Sequence, residues 1–170
     1  DASLVSARSV LERLVLLLTR TVGQTLVVNR LDDAPLTARQ GTGLAFIAME
    51  LVSNAYKHGG RRVSLDFVAD DGVARFSVKD NGPGFPIGFG ENLAASTGLD
   101  LVDNLSRWDL AGKVAFENSN EGGGQVALVG FGGVPGARRQ RVSEATAQLQ
   151  DRAAPRIYPA ALSPTSGDSS

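Results

Sequence analysis

Cysteine is absent from this sequence, and its absence excludes several classes of site. A disulfide scaffold, a zinc site with thiolate ligands and a cysteine nucleophile all require it. A large charge imbalance is also lacking, because 17 basic and 18 acidic residues leave a net charge of −1. Domains that bind nucleic acid normally carry a basic excess, so we expect no nucleic-acid partner.

Long apolar runs are missing as well. The run from Leu14 to Leu18, for example, is far too short to span a bilayer. No signal-peptide pattern opens the chain. We therefore expect a cytoplasmic domain that makes no membrane contact. Because the first residue is Asp1 rather than methionine, we also expect the chain to be part of a longer protein.

The overall composition is that of a globular domain, and its hydrophobic periodicity predicts a regular order of elements. Helices are predicted from Ser3 to about Val22, from the capping residue Thr37 to about His58, and from Gly98 to about Leu110. Strands are predicted at 24–30, 62–69, 73–79, 113–118 and 125–131, with Asp71-Gly72 as a hairpin turn. This order predicts an α+β fold, a two-layer sandwich in which helices cover one face of a mixed, mostly antiparallel sheet.

The composition changes at Gly133, where a tail rich in alanine, arginine and serine begins. The tail contains four of the seven prolines. Residues 1–132 are predicted to form the globular domain, and residues 133–170 a flexible extension. The alternative is that Arg138 to Arg152 form a helix that docks on a partner domain.

A polar stripe made of Glu50, Asn54 and Lys57 runs along the second predicted helix. At about 100° per residue it lies beside the apolar face that should contact the sheet, with His58 at its margin. A carboxylate, an amide and an ammonium group in a row can position a hydroxyl, ligate Mg²⁺ through oxygen and contact phosphate. The alternative is a solvated face without function, as most polar stripes are.

Two glycine-containing segments add to this stripe. Asp80 to Phe85 (DNGPGF) follow a predicted strand, and the glycines permit a sharp turn or the close approach of a ligand. Asp80 could accept a hydrogen bond from an exocyclic amine such as that of adenine. Ser96 to Leu99 (STGL) open a predicted helix, where unpaired backbone N–H groups suit an anion. Each segment alone is weak evidence, because such turns and helix caps are common.

Taken in order, these segments resemble the GHKL superfamily of ATPases and kinases, which includes gyrase, Hsp90, histidine kinases and MutL. Glu50 to His58 (ELVSNAYKH) resemble its N box, Asp80 to Gly84 (DNGPG) its G1 box, and Ser96 to Leu99 its G2 box. The resemblance covers roughly Leu11 to Phe131 and is greatest to the ATP-binding catalytic domain of HisKA_2 and HWE sensor histidine kinases. It implies the Bergerat fold for residues 1–132.

The resemblance implies that ATP and Mg²⁺ bind here and that the N box contacts the phosphates of the nucleotide. Asn54 would ligate the Mg²⁺ that bridges the phosphates. Glu50 would orient or activate the accepting group. Lys57 would contact phosphate, with assistance from His58.

The other two boxes would surround the adenine and cover the nucleotide. Asp80 would bind the adenine amine, and Gly82 and Gly84 would shape that wall of the pocket. The segment between Phe85 and Ala95 would be a short ATP lid. The start of the next helix would approach the phosphates through the G2 box residues Ser96, Thr97, Gly98 and Leu99.

Two positions depart from the family pattern. Ser96 stands where the G2 box usually has its first glycine. This residue would restrict how far the lid can move about its hinge. Gly124 stands where the final hairpin often has a threonine, so a water-bridged adenine contact is expected to be missing.

A phosphoacceptor histidine is also absent, since His58 is the only histidine and lies in the N box. The resemblance therefore implies transfer of the γ-phosphoryl group to a histidine-bearing dimerisation domain outside this chain, with a response regulator as a further partner. Two alternatives are an anti-sigma-factor-like serine kinase and a degenerate, non-catalytic module for docking or phosphotransfer.

Overall fold

Three helices and eight strands make up the part of the chain that the computed structural model describes, residues 3–59, 61–85, 97–118, 125–132 and 156–159. The helices are α1 (Ala7–Val22), α2 (Ala38–Asn54) and α3 (Thr97–Trp108). The strands are β1 (Val5–Ser6), β2 (Leu26–Leu31), β3 (Pro35–Leu36), β4 (Val63–Asp70), β5 (Val73–Asp80), β6 (Lys113–Asn118), β7 (Gln125–Phe131) and β8 (Arg156–Tyr158). A π-helical turn, Ala55–Gly59, directly follows α2. Of the helices in these ranges, none is long and apolar enough to cross a bilayer.

Six of these strands form one sheet in the order β6-β7-β5-β4-β2-β8. β2 and β4 are parallel, and the other neighbouring pairs are antiparallel. β1 and β3 form a separate two-stranded pair, in which Val5 lies opposite Leu36. The prediction of a mixed, mostly antiparallel sheet is therefore confirmed.

The hydrophobic core lies between the sheet and the helices. On β4, the buried residues Val63, Leu65 and Phe67 alternate with more exposed ones. β5 repeats the pattern with Ala74, Phe76 and Val78. The apolar face predicted for α2 is buried with them: Leu44, Ile47, Ala48, Leu51 and Ala55. One buried face on each strand and one buried stripe on the helix confirm the two-layer α+β sandwich.

Thr37 caps α2 as predicted. Its side-chain oxygen accepts a hydrogen bond of 3.1 Å from the backbone N–H of Gln40. The side-chain oxygen of Gln40 in turn accepts a hydrogen bond of 3.0 Å from the backbone N–H of Thr37. This reciprocal pair is a capping box, and it satisfies N–H groups that the start of a helix would otherwise leave unpaired.

Asp71 and Gly72 form the predicted turn between β4 and β5. Their φ angles are +51° and +80°, as a tight two-residue turn requires at both central positions. The register then continues without a shift, so Val63 at the start of β4 lies opposite Asp80 at the end of β5. The hairpin therefore fixes Asp80 beside the beginning of β4.

Two helix boundaries differ from the predicted ones. α1 begins at Ala7 rather than Ser3, because the side chain of Ser6 accepts a hydrogen bond from the N–H of Ser9 and caps the helix there. α2 ends at Asn54 rather than near His58, because the chain continues as the π-helical turn.

A strand in the C-terminal tail is a feature that the sequence analysis does not predict. β8 pairs with β2 and forms the edge of the large sheet, with Ile157 opposite Val27. Arg156 also forms an ion pair with Glu12 of α1, at 3.3 Å between Nη1 and Oε1. The helix considered for residues 138–152 lies outside the described residues. The division of the chain at residue 133 remains a prediction.

Candidate functional site

A cavity lies where the C-terminal end of α2 meets the end of β5. Two polar side chains line it, Asn54 from the last residue of α2 and Asp80 from the last residue of β5. The other lining residues are apolar: Leu51, Ala55, Val78, Phe85 and Phe116. The structure thus brings together two polar residues that were predicted from separate segments.

Asp80 is a buried carboxylate, with 5% of its surface exposed. It lies on the same side of β5 as Phe76 and Val78, because the side chains of a strand alternate between its faces. Its Oδ1 accepts a hydrogen bond of 2.7 Å from the backbone N–H of Gly82. A carboxylate has about four acceptor positions, so this bond orients Asp80 without exhausting its capacity to accept.

The backbone that follows Asp80 is anchored to the start of β4. The backbone N–H of Arg62 donates to Oδ1 of Asn81 at 3.1 Å. The backbone N–H of Asn81 donates to the carbonyl oxygen of Arg62 at 3.2 Å. This pair of bonds holds the first residue of the glycine-containing segment against the sheet.

Gly84 is required both by the backbone and by the space around it. Its φ is +91°, a conformation that side-chain-bearing residues rarely adopt. A Cβ at this position would also lie 2.8 Å from Oδ1 of Asn118, the last residue of β6. The close approach of two chain segments explains why glycine is needed here.

Phe85 and Phe116 form an aromatic wall of the cavity. Their ring centroids are 5.3 Å apart and their planes meet at 77°, which is an edge-to-face contact. Phe116 comes from β6, more than thirty residues further along the chain. Three of the lining residues were not predicted from the sequence as part of a site: Phe116, Leu51 and Val78. Their apolar periodicity indicates burial but does not tell which buried residues border a cavity.

Asn54 stands at the junction between α2 and the π-helical turn. The backbone N–H of Ala55 donates to the carbonyl oxygens of both Leu51 and Val52, and the helix widens from this residue on. Single π-helical turns within helices are often found at functional sites. Periodicity in the sequence does not predict this junction.

Tyr56 anchors the π-helical turn to the rest of the domain. Its hydroxyl donates a hydrogen bond of 2.8 Å to the carbonyl oxygen of Thr25, just before β2. Burial raises the pKa of Tyr56 to about 12. The hydroxyl therefore stays protonated at physiological pH and keeps donating.

Glu50 and Lys57 do not line the cavity within the described part of the chain. Glu50 is half-buried and lies one turn before Asn54, whereas Lys57 is exposed in the π-helical turn. A π-helical turn contains more residues than an α-helical one. Lys57 is therefore rotated away from the position that 100° per residue predicts for it. The roles of Glu50 and Lys57 stay predictions.

The G2 box opens α3 as predicted, with Thr97 and Gly98 as the first two residues of the helix. Leu99 is 2% exposed and belongs to the hydrophobic core. Ser96, Gly124 and the predicted lid from residue 86 onward lie outside the described residues, as does the side chain of His58.

The cavity combines apolar walls with one carboxylate and one amide. A flat heteroaromatic ring can pack against Phe85 and Phe116, and an amine on its edge can donate to Asp80. The amide oxygen of Asn54 is a hard donor of the kind that Mg²⁺ prefers. A mostly apolar lining with a few polar groups is typical of a site for a small organic ligand, whereas the cavity volume of about 220 Å³ is smaller than the roughly 300–1,000 Å³ usual for such sites.

Comparison with known families gives a match over residues 39–131, a range that contains every residue lining the cavity. The matching family is described as "Histidine kinase-, DNA gyrase B-, and HSP90-like ATPase". The chain belongs to this family. The resemblance to GHKL proteins is thereby confirmed, and the matched region is a GHKL ATP-binding domain.

A curated relative of this GHKL domain is the sensor histidine kinase PdtaS of Mycobacterium tuberculosis, which is 30% identical over 129 residues. The match covers 72% of the chain and 25% of PdtaS, so the chain spans about a quarter of the length of this relative.

Solved structures show the same fold. The ATP binding domain of PrrB from Mycobacterium tuberculosis is 25% identical, with a TM-score of 0.66 over 78% of this chain and 98% of that one. The mycobacterial sensor histidine kinase MprB is 19% identical, with a TM-score of 0.64 over 79% and 99% of the two chains. The expected Bergerat-type architecture is therefore confirmed.

Proposed function

We propose that this GHKL domain is the catalytic domain of a sensor histidine kinase and that it transfers the γ-phosphoryl group of Mg·ATP to a histidine outside this chain. The observation that carries the proposal is that Asn54 and Asp80 line one mainly apolar cavity. The similarity to PdtaS and to the ATP binding domain of PrrB supports it. In the reaction, the bond between the γ-phosphorus and its bridging oxygen breaks, a bond to a histidine nitrogen forms, and ADP leaves.

Adenine is proposed to bind at the Asp80 end of the cavity, where its exocyclic amine donates to the carboxylate. Because Asp80 is buried, water competes little for this hydrogen bond, and the low local dielectric strengthens it. Phe85 and Phe116 offer aromatic surface to the base. Gly82 and Gly84 leave the backbone of this wall without side chains.

The phosphates are proposed to be held by the N box and by the start of α3. Asn54 would ligate Mg²⁺ through its amide oxygen, and Lys57, assisted by His58, would contact phosphate. Glu50 would orient the accepting group. Backbone N–H groups at Thr97 and Gly98 open a helix, where anions are favoured. Bound Mg²⁺ supplies charge neutralisation, which together with positioning accounts for most of the catalysis of phosphoryl transfer.

The partners are proposed from the relatives. The acceptor would be a histidine on a dimerisation domain of the same protein, outside this chain, and a response regulator would receive the phosphoryl group from it. The reaction would take place in the cytoplasm. The relative PdtaS is a sensor histidine kinase, which favours transfer to histidine over a serine kinase that uses the same fold.

Calorimetric titration of the chain with ATP, in the presence of Mg²⁺ and in the presence of a chelator, tests the binding part of the proposal. We expect saturable binding that weakens when Mg²⁺ is removed. Asp80→Asn should weaken binding under both conditions by at least about tenfold, because it replaces an acceptor by a group that also donates toward the amine. Asn54→Ala should reduce mainly the Mg²⁺-dependent part. Asn104→Ala, an exposed asparagine on α3, serves as the matched control.

Absence of Mg²⁺-dependent ATP binding by the unchanged chain would leave the non-catalytic docking module as the better reading. The acceptor is tested in the longer protein with radiolabelled ATP. Phosphohistidine hydrolyses in acid whereas phosphoserine survives it. Acid-stable label would therefore contradict transfer to histidine and favour the serine kinase.

A further inference from the structure

Asn118 hydrogen-bonds both backbone groups of a single residue, Phe85. Its Oδ1 accepts a bond of 2.6 Å from the N–H of Phe85, and its Nδ2 donates a bond of 3.2 Å to the carbonyl oxygen of Phe85. We propose that Asn118 is a positioning residue that fixes Phe85 as a wall of the nucleotide cavity. This inference rests on the proposed function, because the wall matters only if a nucleotide binds against it.

The two hydrogen bonds define the position of Phe85 more tightly than either would alone. An amide side chain offers an acceptor and a donor side by side, and the N–H and C=O of one residue match that pair. The two bonds resemble those between paired residues of neighbouring strands, although Phe85 does not belong to a strand. A residue with only one of the two groups cannot form both bonds.

The same strand also holds the side chain of Phe85. Phe116, two residues before Asn118, lies on the same side of β6 and packs edge-to-face against the ring of Phe85. β6 therefore fixes the backbone of Phe85 through Asn118 and its ring through Phe116. Asn118 does not line the cavity within the described part of the chain, whereas Phe85 and Phe116 do. Its effect on a bound nucleotide would therefore be exerted through Phe85.

The neighbouring glycine is fitted to this contact. Oδ1 of Asn118 lies 2.8 Å from the place where a Cβ of Gly84 would be. The Asn118 side chain can reach the backbone of Phe85 in this position because Gly84 has no side chain. The glycine in the G1 box and the asparagine in β6 thus belong to one contact, although they lie far apart in the sequence.

Loss of this contact should affect ligand binding more than stability. Asn118 is exposed and Phe85 is half-buried, so water can replace both hydrogen bonds when the side chain is removed. The fold would then persist while Phe85 samples more positions. Binding would be weaker because the ligand must order the wall that Asn118 otherwise holds in place.

Titrations of the full chain with ATP and with ADP, both with Mg²⁺, test the proposal. For Asn118→Ala we expect about tenfold weaker binding of both nucleotides. The factor should be equal for the two, since the contact acts at the base rather than at the phosphates. Asn118→Asp keeps the acceptor but loses the donor. Its affinity for both nucleotides should lie between those of Asn118→Ala and the unchanged chain. Asn104→Ala is the matched control and should bind as the unchanged chain does.

A double-mutant cycle with Phe85→Ala separates positioning from a general loss of structure. If Asn118 acts through Phe85, adding Asn118→Ala to Phe85→Ala should weaken binding no further. Hydrogen exchange at the Phe85 amide should accelerate in Asn118→Ala, with a melting temperature close to that of the unchanged chain.

Three results would overturn the inference while leaving ATP binding by the domain intact. These are unchanged affinity in Asn118→Ala, a loss confined to ATP, and additive losses in the double mutant. Failure of the unchanged chain to bind either nucleotide would instead overturn the proposed function, and this inference with it.

Discussion

The hydroxyl of Tyr56 donates a hydrogen bond of 2.8 Å to the carbonyl oxygen of Thr25, and this bond ties the π-helical turn after α2 to the start of β2. Asn54, two residues earlier, lines the cavity. The bond therefore restrains the segment that directly follows the proposed Mg²⁺ ligand. It connects residues that are 31 positions apart in the chain.

Tyr56→Phe should lower the free energy of unfolding by about 1 kcal/mol at pH 7, because it removes this partly buried hydrogen bond. It should also change the dependence of stability on alkaline pH. Burial raises the pKa of Tyr56 from 10 to about 12, so folding favours the protonated hydroxyl. The stabilisation is complete below pH 10 and is lost as the pH rises toward 12.

Urea unfolding of both proteins at several pH values from 8 to about 12 checks this prediction. The stability difference between the unchanged chain and Tyr56→Phe should shrink as the pH rises through this window. Other alkaline groups titrate equally in both proteins, so they cancel in the difference. A constant difference across the window would show that Tyr56 is not the group that titrates.

A comparison of Gly84→Ala with Gly72→Ala should separate the effect of backbone strain from the effect of disturbing the Asn118 contact. Both glycines have positive φ, +91° and +80°, so alanine at either site should cost about 1–2 kcal/mol of stability. A Cβ at Gly72 meets no atom within 4 Å, whereas one at Gly84 meets the side chain of Asn118.

We expect weaker ADP binding, by about tenfold, for Gly84→Ala and unchanged binding for Gly72→Ala. Thermal unfolding measures the strain in each variant, and calorimetry measures the affinity. Equal affinities in the two variants would show that the side chain of Asn118 can move aside without disturbing the cavity.

Phe116→Leu should weaken ADP binding several-fold, because it removes the edge-to-face contact with Phe85, which contributes about 0.5–1.5 kcal/mol. Phe46→Leu is the matched control, since Phe46 lies on α2 with 45% of its surface exposed. Calorimetric titration of the two variants makes the comparison. The assignment of Phe116 to the wall would be wrong if both variants bound ADP equally well.

Asp33→Asn should make the domain less stable at neutral pH and less sensitive to acid. The hydrogen bond from Ser6, of 2.6 Å, is the main reason that the pKa of Asp33 is lowered below 3.8, and the N–H and charge of Arg8 add to it. Folding therefore favours the carboxylate. The contribution of this carboxylate to the stability of the domain is present above pH 3.8 and is lost as the pH falls through the lowered pKa.

The expected loss is below about 1 kcal/mol, because the pair is exposed to solvent. Unfolding at pH 7 and at about pH 3 measures it, in a double-mutant cycle with Ser6→Ala. Coupling that is smaller at the lower pH than at pH 7 is the expected result. A coupling between Ser6 and Asp33 that is equally large at both pH values would contradict the role of the Asp33 carboxylate.

Features that depend on neighbouring residues were predictable from the sequence. Thr37 caps α2 as expected, and Asp71-Gly72 form the expected turn. Asp80, the first residue of the G1 box, is also the last residue of β5. Resemblance to the GHKL family depended on motifs of this kind, and the family match confirms it.

Details of the candidate site were less predictable. Periodicity at 100° per residue placed Lys57 on the stripe of Glu50 and Asn54, whereas the π-helical turn rotates it away. The roles of Glu50, Lys57 and the G2 box residues stay predictions. Phe116 and Asn118 were not singled out in advance, because one apolar and one polar residue at the end of a strand resemble many others.

By itself the sequence determined the three helices, five of the six strands of the large sheet, their buried faces and the residues that resemble GHKL motifs. Capping, turns and periodicity, on which these predictions depend, act over a few residues. Tertiary structure alone decided that β6 meets the segment after β5, that Tyr56 reaches Thr25, and that β8 covers the edge of β2. The physical reason is that such contacts depend on strand order and register. These are settled by the packing of the whole core rather than by any local pattern.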